Sequence, residues 1–200
     1  MRSFPDRWIH GAPDCAASDD PEFQAHWMVA RTCVLRQSKC VTFEAPFLYL
    51  LLGERTALLL DTGGEPDAGG DLAIRTVVDG LLAAHPELEL VVGHTHSHGD
   101  HVFGDRYFVG RPNTRILGHR VDDVRAAYGI GAWPEGRGRI DLGGRPLTVV
   151  PAPGHEPASV CFHDAERGLL LTGDVLYPGL LTRASRPRTR WSTSWGATSR

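Results

Sequence analysis

Short apolar runs recur along the chain, and most of them end at a glycine, a proline or a cluster of polar residues. The runs are rich in leucine, valine and aromatic residues and are brief, which is typical of β-strands. The predicted strands are 28–35, 41–52, 57–60, 88–92, 114–117, a pair within 139–151, 159–163 and 169–171.

Two segments instead carry apolar side chains close to helical spacing. Residues 71–84 predict a helix that Asp71 caps and that Pro86 ends. Residues 121–128 predict a short helix that Gly129 ends, since glycine often follows the last turn of a helix.

Length and composition allow one compact domain with a sizeable core, because the chain has 200 residues and is 42% hydrophobic. We expect an irregular lead-in over 1–27, a folded domain over 28–180 and a basic, disordered tail over 181–200. The net charge of -3 gives no reason to expect a nucleic-acid partner. The absence of a long apolar run or secretory signal predicts a cytoplasmic chain without a membrane partner, and leaves a homo-oligomer open.

The four cysteines, Cys15, Cys33, Cys40 and Cys161, show no C-x-x-C spacing. Four cysteines are too few for a disulfide scaffold in a chain of this length. We therefore predict that they are reduced, with Cys33 and Cys161 packed as small apolar side chains in strands.

Side chains that can bind a metal are most concentrated in residues 93–101, directly after the predicted strand 88–92. Four histidines, His94, His96, His98 and His101, fall here with Asp100. Imidazole nitrogens and carboxylate oxygens are the ligands that zinc takes in catalytic sites. The stretch is compatible with a metal site counted from His94 or from His96, and with a plain histidine-rich surface loop.

Two more metal-capable residues also follow predicted strands and lie beside glycines. His155 follows 147–150, and Asp174 follows 169–171. Ligands from the ends of neighbouring strands can converge on a rigid rim, so these residues together favour a metal site. Asp61 similarly ends the strand 57–60 before a glycine-rich loop, where it fits a supporting role in the site or a simple turn.

These residues carry a resemblance to the metallo-β-lactamase superfamily. The segment His96–His101 (HSHGDH) matches its H-x-H-x-D-H motif, and this match favours counting from His96. Pro-Gly-His155 and Thr-Gly-Asp174 are similar to its next two metal-binding motifs, in the same order, and Asp61 matches an aspartate after an early strand.

The resemblance implies an α+β fold, a four-layer αββα sandwich in which two mixed sheets lie back to back with helices outside. It implies a site for one or two Zn²⁺ ions, with iron as another option. In that arrangement the first metal is held by His96, His98 and His155, the second by Asp100 and His101, and both by Asp174. Asp100 is also the implied catalytic carboxylate, and Asp61 supports the ligands.

The implied activity is hydrolysis of an ester, thioester, lactone or related small substrate by a metal-activated water. The chain departs from the family after Pro-Gly-His155, where it has Glu156-Pro157-Ala158-Ser159, and more seriously because no histidine follows His163 to complete the second metal site. We therefore expect the last strand and helix of the fold to be lacking. A mononuclear iron oxidoreductase similar to persulfide dioxygenases, and a truncated inactive homologue, are the alternatives.

The arginine-rich segment 181–200 has two interpretations. It fits a solvated basic tail, and it fits a native ending replaced by a change of reading frame, which we favour.

Overall fold

The computed structural model describes residues 5, 7–9, 15–29 and 31–176, so the predicted tail over 181–200 lies outside the described residues. In this part of the chain, ten strands form two sheets and three short α-helices accompany them. The first sheet contains β1 (Phe23–Val29), β2 (Thr32–Gln37), β3 (Phe47–Leu52), β4 (Thr56–Leu60), β5 (Glu89–Gly93) and β6 (Thr114–Ile116). The second contains β7 (Gly138–Asp141), β8 (Pro146–Pro151), β9 (Val160–Asp164) and β10 (Leu169–Leu171). The helices are α1 (Ile74–Leu82), α2 (Gly99–Val102) and α3 (Val121–Tyr128).

The order of strands in the first sheet follows the chain, from β1 to β6. Strands β1 to β4 pair antiparallel, whereas β4, β5 and β6 pair parallel. A parallel pair needs a crossover connection, and α1 lies in the one between β4 and β5. Because β4 and β5 run the same way, the residues that follow them, Asp61 and His94 onward, meet at one edge of the sheet.

Alternating side chains of the first sheet build two cores. Leu58 and Leu60 of β4 pack toward the second sheet, and Leu59 packs toward α1. The inter-sheet core also contains Val91, Leu147, Val149, Phe162 and Leu171. The core beneath α1 also contains Leu90, Val92, Ile74, Val78 and Phe108.

This arrangement confirms the predicted α+β sandwich, with one correction. The second sheet, in order β10-β9-β8-β7, is entirely antiparallel among the described residues, so only the first sheet is mixed. Within the same residues no helix covers its outer face, where Thr148 and His163 are exposed.

The amino-terminal part of the fold differs most from the sequence prediction. Residues 23–29 form a strand, where an irregular lead-in was expected, and the predicted strand 28–35 is a hairpin of β1 and β2. Strand β1 lies at the edge of the sheet, and the half-buried Gln24 and His26 interrupt its apolar residues, so it lacks an apolar run. The strand predicted from residue 41 begins only at Phe47, after Pro46.

The start of α1 also differs, because the helix begins at Ile74 and Asp71 does not cap it. The backbone N–H of Ala73 donates instead to the Glu22 carboxylate, at 2.8 Å. The second predicted helix has the expected bounds, and Gly129 follows it with φ 68°. None of the described helices is long and apolar enough to cross a membrane.

The prediction of four reduced cysteines is wrong for two of them. Cys15 and Cys40 form a disulfide bond, while Cys33 and Cys161 are free and buried as expected. The hydrogen bond from Ser38 N–H to the Glu22 carbonyl, at 2.9 Å, holds the two neighbouring segments together. Spacing along the chain carries no sign of this proximity.

A buried ion pair joins the two sheets. The Arg145 side chain is 1% exposed and donates Nε–H to Asp164 at 2.8 Å. Its other nitrogens donate to the Thr32 hydroxyl and to the carbonyl oxygens of Arg31 and Leu52 in the first sheet. All charged and polar groups at this point are thus paired, as burial requires.

We expect the substitution Asp164→Asn to lower the free energy of unfolding by about 3 kcal/mol, because it leaves a buried guanidinium without its counter-charge. Chemical denaturation measures the change. The matched control is Arg167→Ala, which removes a partly exposed partner of the same carboxylate, at 3.5 Å, and should cost less than about 1 kcal/mol. Equal losses in the two variants would contradict the role of the pair.

Candidate metal centre

The candidate site lies where β4 and β5 end, facing the loop after β8. His96 and His98 lie in the extended segment that leaves β5, and Asp100 and His101 lie in the single turn of α2. His155 comes from the loop between β8 and β9. Asp174 lies in a 3₁₀ turn directly after β10.

Three histidines, His96, His98 and His155, form the first group of donors. One nitrogen of each ring lies within 4.8 Å of the others. Nε2 of His155 is 2.9 Å from Nδ1 of His98. Three imidazoles from two sheets thus surround one point, which is the donor set of a catalytic zinc site.

His96 also belongs to a second group, with His101 and Asp174, whose donor atoms again lie within 4.8 Å of one another. Asp174 lies between the two groups, 3.5 Å from Nε2 of His101 and 3.6 Å from Nε2 of His155. The Asp100 carboxylate is 3.2 Å from Nε2 of His101. All six predicted ligands are therefore close together.

Asp61 supports this cluster from beneath and is completely buried. It accepts hydrogen bonds from the N–H of Thr95 at 2.7 Å, from the hydroxyl of Thr95 at 2.8 Å and from Nδ1–H of His101 at 2.8 Å. Its φ of 66° is a left-handed conformation that aspartate tolerates better than most residues. Asp61 therefore fixes the orientation of the His101 ring and is more than a turn residue.

Four buried imidazole nitrogens of the described residues lack a hydrogen-bond partner, and two of them, those of His96 and His101, belong to the cluster. Nε2 of His96 and Nε2 of His101 make no hydrogen bond with any described residue. The opposite nitrogen of each ring is engaged, in His101 with Asp61 and in His96 with the Thr95 hydroxyl at 3.2 Å. Both Nε2 atoms are thus oriented to bind a cation, so the residues fit a metal.

The pKa values in the cluster also suit a cation. Burial, together with the charge of His101, lowers the pKa of His96 to about 3, which keeps that ring neutral. The nearby His101 ring, 3.5 Å away, lowers the pKa of Asp174 to about 2. Burial opposes charge on His101, but Asp61, Asp100 and Asp174 outweigh it and hold its pKa well above the usual value. Three carboxylates thus attract positive charge to this point.

A cavity of about 630 Å³ opens beside Asp100. The loop before β3, the loop after β4 and the α2 segment form its walls, and its lining includes Thr42, Gly64, Glu65, Asp100, Phe103 and His119. Asp100 is the one proposed ligand in this lining, so a small substrate in the cavity would lie against its carboxylate.

His94 lies outside both donor groups, so a metal site counted from His94 is wrong. Its Nε2 is 2.9 Å from the Asp105 carboxylate. Asp105 and Thr95 were not predicted from the sequence, where the position of Thr95 directly before His96 is the only signal of a role in the site. His163 is exposed in β9 and pairs with Leu170 and Thr148, remote from the ligand loops.

Residues 41–198 match the sequence model of the Metallo-beta-lactamase superfamily, so the chain belongs to that family. Among curated proteins it is similar to a hydroxyacylglutathione hydrolase of Anaeromyxobacter dehalogenans, with 37% identity over 66% of this chain and 46% of the relative. A hydroxyacylglutathione hydrolase of Aeromonas salmonicida is 30% identical over 68% of this chain and 49% of that protein. The chain thus spans about half the length of these relatives.

A shorter segment of the chain matches a third curated protein at a higher sequence identity. The acyl-coenzyme A thioesterase MBLAC2 of Homo sapiens is 52% identical over 42 residues, which are 21% of this chain and 15% of that protein. Among solved structures, a metallo-beta-lactamase family protein of Thermus thermophilus matches with a TM-score of 0.52 and 20% identity, over 76% of this chain and 62% of that one. A metallo-beta-lactamase of Hirschia baltica matches with a TM-score of 0.54 and 15% identity, over 75% and 70%. These structural matches show the fold.

The substitution Asp61→Asn should weaken zinc binding at the His101 side of the cluster by about tenfold, because an amide no longer fixes the His101 ring as the carboxylate does. Competition with a chromophoric chelator measures the affinity. Asp122→Asn, at an exposed carboxylate on α3, is the control and should bind zinc like the unaltered chain. Unchanged affinity in Asp61→Asn would rule out the assigned role.

Proposed function

We propose that the chain is a zinc-dependent hydrolase that cleaves a small-molecule thioester. The observation that carries the proposal is the group of three histidine donors, His96, His98 and His155, beside a second group in which the donor atoms of His101 and Asp174 lie within 4.8 Å of each other. Zinc bound in both groups would supply an activated water and would polarise the carbonyl of the substrate. His96, His98 and His155 would hold one ion, with Asp100 and His101 holding the other and Asp174 contacting both.

Asp100 has the position and the charge to accept the proton of the attacking water and to donate it to the leaving group. Its carboxylate lines the cavity and lies 3.2 Å from His101, whose proximity and charge outweigh burial and lower the pKa of Asp100. The carboxylate is therefore ionised near neutral pH and can orient a water through a hydrogen bond. It can also accept a proton from that water and return it to the leaving group.

The proposed reaction consumes one water. The water oxygen bonds to the acyl carbon, and the carbon–sulfur bond breaks. The proton lost by the water is delivered to the sulfur, so the products are a carboxylic acid and a thiol. No oxidant or reductant is needed.

The choice of a thioester rests on the relatives. The hydroxyacylglutathione hydrolases and the acyl-coenzyme A thioesterase are named for substrates that share a thioester bond and differ in the thiol. We therefore propose the bond and leave the thiol open. An ester or lactone has the same acyl carbon and is the natural comparison substrate.

The cytoplasmic location remains a prediction of the sequence. The Cys15–Cys40 disulfide bond weighs against it, since disulfides persist mainly in oxidising compartments.

Purified protein should contain up to two equivalents of zinc per chain and should hydrolyse thioesters faster than matched esters and lactones. Release of the thiol, followed with a thiol-reactive dye, measures the rate. Asp100→Asn should lower kcat at least about 100-fold, because the amide cannot accept a proton.

The control for this experiment is Asp122→Asn, which changes an exposed carboxylate away from the site and should retain full activity. Full activity in Asp100→Asn would contradict the proposal. Iron in place of zinc, with oxygen uptake on addition of a persulfide, would favour the oxidoreductase alternative instead.

A further inference from the structure

The His94–Asp105 pair is conspicuous because it is polar, poorly exposed and unused by the proposed reaction. The side chain of His94 is 1% exposed and that of Asp105 is 21% exposed, with 2.9 Å between Nε2 and Oδ1. Among the described residues these two do not form a three-donor group of the kind that surrounds His96. The pair is thus not a further metal site, and its place in the chain suggests another role.

The contact between His94 and Asp105 closes the loop that connects β5 to the helical segment after it. His94 directly follows β5, and Asp105 lies in the 3₁₀ helix over Phe103–Tyr107 that continues α2. The eleven-residue separation encloses four of the six proposed ligands. These are His96, His98, Asp100 and His101.

Thr62 ties the same loop to the end of β4. Its N–H donates to the carbonyl oxygen of His101 at 2.8 Å. Its hydroxyl has one hydrogen, and the Asp105 carboxylate at 2.9 Å is a closer and stronger acceptor than the His101 carbonyl at 3.2 Å. Asp105 therefore joins three segments: the loop after β4, the end of β5 and the 3₁₀ helix that directly follows α2, which carries Asp100 and His101.

Close packing at Gly104 shows how tightly this turn is placed. A Cβ atom at Gly104 would collide with the carbonyl oxygen of Thr62. The 3₁₀ helix that contains Gly104 therefore packs directly on the backbone of residue 62. A small movement of Asp105 would be transmitted to His101, one helical turn earlier in the chain.

The two sides of the loop depend on the pair to different degrees. His96 follows β5 closely and is held by the sheet and by Thr95. Asp100 and His101 lie on a helix of one turn, which cannot hold its own position and depends on contacts with its surroundings. Loss of the pair should therefore disturb the second group of ligands more than the first.

We infer that Asp105, held by His94 and Thr62, is a positioning residue that keeps Asp100 and His101 in place to bind the second zinc ion. This inference rests on the proposed two-zinc function. It assigns a role to the histidine that the metal site leaves out. Asp105 acts through His101 and Asp100, and it is not itself a ligand.

Stepwise zinc binding tests this role, with competition against a chromophoric chelator giving two dissociation constants per chain. Asp105→Ala should weaken the second constant by about tenfold or more and change the first by less than about threefold. Asp105→Asn keeps an oxygen that can accept from Thr62 and His94, so it should bind nearly as the unaltered chain does. His94→Gln, which places an amide N–H near the former Nε2, should likewise be milder than His94→Ala.

The control variant is Asp79→Ala, which removes a carboxylate that pairs with Arg111 at 2.7 Å and lies outside the metal site. It should leave both constants unchanged. If Asp105→Ala does not fold, Thr62→Val removes the hydroxyl donor with little change of shape and is judged by the same criterion.

Three outcomes would overturn the inference: no change in the second constant, an equal change in both, or no recovery in Asp105→Asn. Failure of the proposed function is recognised separately, in the unaltered chain. If the unaltered chain binds fewer than two zinc equivalents, both the proposed function and the positioning role are overturned. If it binds two equivalents but does not hydrolyse thioesters, only the proposed function fails, and the variants still decide the role of Asp105.

Discussion

The buried Asp61 carboxylate is the interaction on which the candidate site depends. It accepts three hydrogen bonds, two from Thr95 and one from His101, and so links the ends of β4 and β5 to α2. A buried carboxylate is costly unless such bonds satisfy it. Once it is satisfied, the same bonds fix the ring of His101 and place its Nε2 toward the cluster. The fold contributes to the chemistry mainly through this connection.

The rest of the architecture brings the other donors to the same edge. The parallel pair β4–β5 places the ends of both strands together, and the second sheet supplies His155 and Asp174 from the loops beyond β8 and β10. The Arg145–Asp164 ion pair joins the same two sheets through buried hydrogen bonds. The site thus requires both sheets to be correctly packed, although its ligands come from loops and single turns.

Local signals in the sequence predicted much of this structure. Apolar runs located β4 and β10 closely, and Gly129 marked the end of α3. The six predicted metal ligands lie close together at one edge of the fold, as the motifs predicted. The failures concern features that depend on tertiary structure. Strand β1 is an edge strand without an apolar run, and the Cys15–Cys40 bond and the His94–Asp105 pair join segments whose proximity the spacing does not encode.

The central claim is that the cluster binds two zinc ions, and anomalous X-ray diffraction tests it most directly. Crystals grown with zinc, measured above and below the zinc absorption edge, should show two peaks about 3.5–4 Å apart. One should lie among His96, His98 and His155, and the other among Asp100, His101 and Asp174. A single peak, no peak, or a peak at His94 would contradict the account.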